Sequence, residues 1–175
     1  MPKKNKLFLV DANVLIHAHT LYYPLRRVPE FWEWVLFHAN NGSIKIPLEI
    51  LDEIQGGESD HHAIWAHERA NKNCLLLKES FNSGYLSKVL NEGYAPDLNE
   101  VELETIGKDP FLISYAMTDS SNRIVVTNEV SKPSKQRQNR KVPDVCNHFG
   151  IQWCNVYELV RELDFSTDWQ SRLSA

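Results

Sequence analysis

Three acidic side chains, Asp11, Asp109 and Glu129, fall where strands should end or helices should begin, and a fourth, Glu53, falls on the helix expected after Pro47. Acids gathered at one point make an oxygen-rich cluster of the kind that Mg²⁺ and Mn²⁺ prefer. Such an ion lowers the pKa of a bound water and can hold a phosphodiester for in-line attack. No nucleophilic Ser–His pair and no phosphate-cradling glycine loop competes for these positions.

Each acid also has a plainer explanation. Asp11 ends an apolar run, 7–10, and could simply cap the helix that follows. Glu53, stepped at about 100° per residue from Pro47, falls beside the stripe of Ile46, Ile50 and Ile54. A buried salt bridge would satisfy it there as well as a metal would. Glu49 lies one turn earlier on the flank, and Asp52 points further away. Asp109-Pro110 is an ordinary helix start, with the acid as cap and proline in the first turn. The direction of Asp109 nevertheless coincides with Leu112, Ile113 and Ala116. Glu129 follows Thr127 and Asn128, whose short polar side chains suit a turn. Asp144 competes with Glu129 as the fourth acid, although Pro143-Asp144 also resembles a helix start. His17 and His19 read as solvated or core histidines.

The elements that must position these groups alternate. A buried strand is expected over 7–10, a short helix over 13–19 and a loop over 22–29. Pro29 opens an aromatic helix through Phe31, Trp32, Trp34, Val35 and Phe37, which Asn40-Asn41-Gly42 ends. A strand over 43–46 precedes a helix from Pro47 to the Gly56-Gly57 pair. The stretch 59–73 reads as a polar helix anchored by Ile64 and Trp65, and 74–77 as a strand or a helix start. Further helices are expected over 80–91, over 97–105 with Asp97 and Glu100 as a capping box, and over 109–118. A strand over 123–127 is followed by a basic, exposed and mobile loop over 131–141. A helix over 142–149, a strand over 151–156 and a helix over 157–163 complete the pattern. Apolar strands alternating with helices imply an α/β fold, a mainly parallel sheet covered on both faces. One domain over 1–165 is expected, with 166–175 as a C-terminal tail.

Composition narrows the function classes. The chain has 175 residues, 42% hydrophobic and 24% charged, which suits a globular protein with one core. The basic start is followed by an apolar run that Asp11 interrupts, too short for a signal peptide, and no later stretch approaches a membrane span. A cytoplasmic protein is expected. Three cysteines, Cys74, Cys146 and Cys154, imply no disulfide framework, and Cys146, His148 and Cys154 match no standard zinc spacing. A net charge of −4 argues against nucleic-acid binding by a uniformly basic surface. Divalent cations at an acidic site would reverse the local sign.

In order along the chain, Leu9-Val10-Asp11-Ala12-Asn13-Val14-Leu15, Ile46-Pro47 leading to Asp52-Glu53-Ile54, Asp109-Pro110-Phe111-Leu112-Ile113-Ser114-Tyr115-Ala116, and Val125-Val126-Thr127-Asn128-Glu129 resemble the motifs of PIN domains. The resemblance spans about residues 6–163 and is nearest to a longer subgroup of that family. It implies a three-layer α/β/α sandwich and a Mg²⁺- or Mn²⁺-dependent ribonuclease. VapC-type toxins, neutralised by an antitoxin protein, are among such enzymes. It implies metal-site roles for Asp11, Glu53 and Asp109, support from Asn13, Thr127 and Asn128, and Glu129 as the fourth acid. Typical members place an Asp a few residues beyond an Asn, so Glu129 departs from the pattern. RNA is the expected partner, contacted by Arg26, Arg27, Lys132, Lys135, Arg137, Arg140 and Lys141, with an antitoxin and a homodimer as further expectations. Two rivals are a non-catalytic PIN-like binding module and a haloacid-dehalogenase-like phosphohydrolase with Asp11 as nucleophile. The second rival lacks an Asp at position 13.

Overall fold

The structure is a computed structural model and describes residues 6–57 and 60–173. At its centre lie four parallel strands, β1 (Leu7–Val10), β2 (Ile44–Lys45), β3 (Arg123–Val126) and β4 (Trp153–Cys154), in the order β2-β1-β3-β4. Phe8 pairs with Ile44 on one side and Ile124 on the other, and Val126 pairs with both Val10 and Cys154. Phe8, Leu9, Val10, Val125 and Val126 are buried, as expected of strands covered on both faces. The chain leaves β1 towards β2 and later returns to β3 on the opposite side of β1. Right-handed crossovers in opposite directions put helices on opposite faces of the sheet, giving a three-layer α/β/α sandwich. The reversal also opens a crevice beyond the carboxyl ends of β1 and β3, where α/β sheets collect ligands.

Helix α1 (Ala12–His17) leaves β1 directly and widens into a π-turn, Ala18–Tyr22. Helix α2 (Pro29–Asn40) starts on Pro29 and stops before Gly42, whose φ of 76° needs glycine. Its Phe31, Trp32 and Trp34 are almost fully buried. Trp34 Nε1 donates to the Leu163 carbonyl at 3.3 Å, and Phe165 and Trp169 pack on this aromatic face. The segment expected as a tail therefore returns to the core and contains a helical turn, Trp169–Arg172.

Several expected elements are shorter or differently broken. After Pro47, α3 (Leu48–Leu51) makes one turn only, so Glu53 lies in the bend beyond it rather than on a helix face. The polar stretch forms two helices, α4 (His61–His67) and α5 (Arg69–Leu75), broken at Glu68, whose ψ of 132° is extended. Its buried residues are His62, Ala63 and Ala66; Ile64 is 53% exposed and anchors nothing, while Trp65 meets Trp32 edge-on. Ser59, the expected first residue, lies outside the described residues. Leu76 forms a single parallel bridge with Ile46, so 74–77 is first helix and then sheet edge. Helix α6 (Ser83–Lys88) runs into a second π-turn, Val89–Tyr94. In α7 (Glu100–Ile106) the capping box is Asn99 with Glu102, not Asp97 with Glu100. Helices α8 (Asp109–Met117), α9 (Val142–His148) and α10 (Val156–Glu162) lie close to expectation. Among the described residues no helix is long and apolar enough to cross a membrane.

Candidate acidic site

Asp11 stands at the cap position of α1, yet its side chain makes no well-directed capping bond. Its Oδ2 accepts instead from Thr127 Oγ1 at 2.7 Å and from Asn13 Nδ2 at 2.5 Å. Thr127, fully buried at the end of β3, is the hub. Its Oγ1 also accepts from Asn13 Nδ2 at 3.1 Å and from the Glu129 N–H at 3.2 Å. Asn13 Oδ1 accepts from the Asn128 N–H, and Asn128 Oδ1 from the Val156 N–H at the start of α10. One polar chain thus joins the ends of β1 and β3 to the next helix and holds Asp11 at the switch point.

Two of the four acids meet the N-termini of helices from outside. Glu53 is exposed as a residue, but its Oε1 accepts from the Lys108 N–H at 3.1 Å at the entrance to α8. Gly107 makes that approach possible: its φ is 65°, and a Cβ there would lie 3.2 Å from Glu53 Oε1. Glu129 behaves alike at α9, with Oε2 accepting from the Val142 N–H at 2.8 Å and Oε1 from Lys141 Nζ at 2.9 Å. Orphan N–H groups at a helix N-terminus favour negative charge, so each of these two acids has a partner where it stands, although burial outweighs it at Glu53.

Asp109 has no such help, and at Asp11 burial outweighs the Thr127 hydroxyl and the Asn13 N–H. Asp109 is the first residue of α8 and makes no capping hydrogen bond, so its expected capping role is not observed; Lys108 holds the cap position. Burial, and then the charges of Asp11, Glu129 and Glu53, push its carboxyl well above the usual range. Burial likewise raises Asp11 to about 6, with Glu129 and Glu53 adding to the rise and the Thr127 hydroxyl opposing it. Burial raises Glu53 as well, against the Lys108 N–H. The four acids therefore share one electrostatic field, set at the carboxyl edge of the sheet.

Asp144 is not part of that field. Its Oδ1 accepts from Ser131 Oγ at 2.5 Å and its Oδ2 from the Lys132 N–H at 2.8 Å, which ties down the loop after β3. Glu49 faces Tyr115, whose hydroxyl burial and then Glu49 raise to about 12. Cys146 is buried, and the Cys146, His148 and Cys154 trio makes no metal cluster among the described residues.

The basic loop is neither free nor devoid of fixed partners. Arg137, in a left-handed conformation at φ 51°, binds Glu102 through Nε at 2.7 Å and Asp97 through Nη1 at 2.7 Å. The Arg137 guanidinium holds Glu102 down at about 2. Arg140 donates to the Gly93 and Asp144 carbonyls. Arg137 is therefore a clasp fixing the loop against α7. Replacing it by alanine is expected to leave the acids in place but loosen 131–141, seen as faster amide exchange confined to that loop and α7. Unchanged exchange would show that the clasp holds nothing. Lys132, Lys135, Arg140 and Lys141 line a cleft of about 290 Å³ that Asp109 and Glu129 close at its base. Arg26 and Arg27 sit exposed in the turn before α2 and line no cleft at the acids.

Two residues escaped the sequence reading. Gly107 had a readable signal, a glycine two positions before Asp109-Pro110. Tyr94 had none: its buried hydroxyl has no partner, and burial followed by the charges of Asp109 and Glu129 pushes it well above its usual value.

The donors are all oxygens, and burial and mutual repulsion raise Asp109 against the opposing charge of Lys141, so the set fits a hard divalent ion. Among the described residues no three Asp, Glu, His or Cys side chains already surround one point closely enough to hold a metal. Binding would require carboxylates to turn inward, Glu129 away from Lys141 first.

The chain belongs to the family described as a domain of unknown function (DUF4411), which matches residues 8–167. No curated protein and no solved structure matches it.

Proposed function

We propose that this member of the family is a divalent-metal-dependent endoribonuclease. The observation that carries the reading is the pair of buried acids, Asp11 and Asp109, which burial and the charges of Glu53 and Glu129 raise together at the sheet's switch point. Mg²⁺ or Mn²⁺ would be held by Asp11 and Asp109 with Glu129, and Glu53 would be a ligand or would orient water. When bound, the ion would supply an activated water and charge stabilisation on the phosphodiester. The chain's own residues do the rest. Thr127 and Asn13 fix the Asp11 carboxylate, and the lysines of the cleft draw the RNA backbone towards the acids. The PIN-like resemblance points the same way and adds the possibility of a toxin paired with an antitoxin; growth after induced expression tests that part.

The test is cleavage of RNA with Mn²⁺ or Mg²⁺, without added metal, and with chelator, for wild type and Asp109→Asn. Cleavage should need metal and fall at least about a hundredfold in the variant. Metal-independent cleavage, or full activity in Asp109→Asn, would refute the reading. The Glu129–Lys141 ion pair favours a second one, in which the lysine stands in for a cation in a non-catalytic RNA-binding module. That module would bind RNA equally well with and without metal and cleave nothing.

A further inference from the structure

A second cleft, of about 400 Å³, opens on the other side of Glu129 and differs in chemistry from the lysine-lined one. Tyr22, Trp153 and Tyr157 supply its aromatic walls, Asn128, Val130 and His17 also line it, and among the described residues no lysine or arginine does. Tyr157 is 52% exposed and Val130 is 71% exposed, a large open apolar surface beside a polar site. The Tyr22 and Tyr157 rings lie 5.5 Å apart, tilted by 59°. Tyr22 is backed edge-on by Tyr23, which stacks on the buried Phe31 at 4.5 Å, so this wall is continuous with the core.

We propose that this cleft receives an unpaired base of the strand whose phosphates follow the neighbouring lysines, which rests on the reading of the chain as acting on RNA. Charge decides which part of a nucleotide enters. A phosphate here would face Glu129 with no lysine or arginine to offset it, whereas a base is flat and neutral. Aromatic rings stack on any base through its π-face, and a wall already fixed by packing loses little entropy when the base arrives. Because Glu129 borders both clefts, a strand with its backbone along Lys132 and Lys135 and one base stacked on the open face of Tyr157, whose other side Tyr22 already covers, passes over the acids. The cleft thereby selects single-stranded over paired RNA, since a paired base cannot leave its stack without cost.

Binding in chelator separates this from cleavage. A short fluorescein-labelled single-stranded RNA and the same strand with abasic riboses are titrated against wild type, Tyr157→Ala, Tyr157→Phe and Lys135→Ala. Wild type should prefer the base-bearing strand. Tyr157→Ala should weaken that strand about ten- to a hundredfold and leave the abasic strand unchanged, while Tyr157→Phe keeps the preference. Lys135→Ala should weaken both strands alike. Equal binding of the two strands by wild type, or a preference that survives Tyr157→Ala, would overturn the base site and leave the nuclease reading standing. Binding of neither strand would overturn the base site, while the nuclease reading stands or falls on metal-dependent cleavage. Base-dependent binding without metal-dependent cleavage would uphold the base site and sink the nuclease.

Discussion

Asp11→Asn should make the metal-free protein more stable at neutral pH while abolishing metal-dependent cleavage. The sign follows from the raised carboxyl. Asp11 releases its proton near pH 6 in the folded chain and near 3.8 when unfolded. Between those values the folded state holds a proton that the unfolded state has lost, so stability falls as pH rises through the window. A rise of about two units corresponds to roughly 3 kcal/mol above pH 6. Asparagine carries no charge, and its Oδ1 can still accept from Thr127 and Asn13. A gain of about 2 kcal/mol is expected at pH 7.5, an increase of several degrees in melting temperature. The difference should shrink as pH falls and vanish below about pH 3, where wild-type Asp11 is protonated in both states. Mn²⁺ should raise the melting temperature of wild type and act far less on the variant. A variant that melts below wild type at pH 7.5 without metal would show that Asp11 is a structural acid.

Thr127→Val should have the opposite effect on stability and should also slow cleavage. Valine keeps the shape and removes the hydroxyl that donates to Asp11 and accepts from Asn13 and the Glu129 N–H. A buried hydrogen bond to a charged group is worth about 1.5–3 kcal/mol, and the abandoned N–H adds to the cost. A loss of about 3 kcal/mol is expected in denaturant unfolding at neutral pH. Since the hydroxyl opposes the rise of Asp11, its removal should move the pH dependence of stability upward. Serine at this position should restore most of both. If Thr127→Val unfolds like wild type, the hub is not what holds the ends of β1 and β3 together.

Fold class and acid identities were legible in the sequence because they rest on local chemistry. Continuous apolar runs such as Leu7–Val10 and residues 124–126 mark strands buried on both faces, and proline-led helix starts at Pro29 and Pro110 need no distant partner. Breaks within polar stretches were less legible. The helical period carries from Pro47 past Glu53, but the backbone turns after Leu51 because Glu53 serves α8 instead. Ile64 fits a helix face in sequence and points to solvent, since the partner of α4 is decided by packing.

By itself, the sequence determined that Asp11 ends a buried strand, that Asp109 begins a helix and that Glu129 follows a strand. A carboxylate after a run of apolar residues must stop that run whatever surrounds it. Only the tertiary structure decided that Glu53 and Glu129 meet helix N-termini while Asp11 and Asp109 are buried within the same field. It also decided that Asp144 and Arg137 hold the loop instead. Those roles depend on distances between residues far apart in the chain, which the strand order β2-β1-β3-β4 sets and no local pattern encodes.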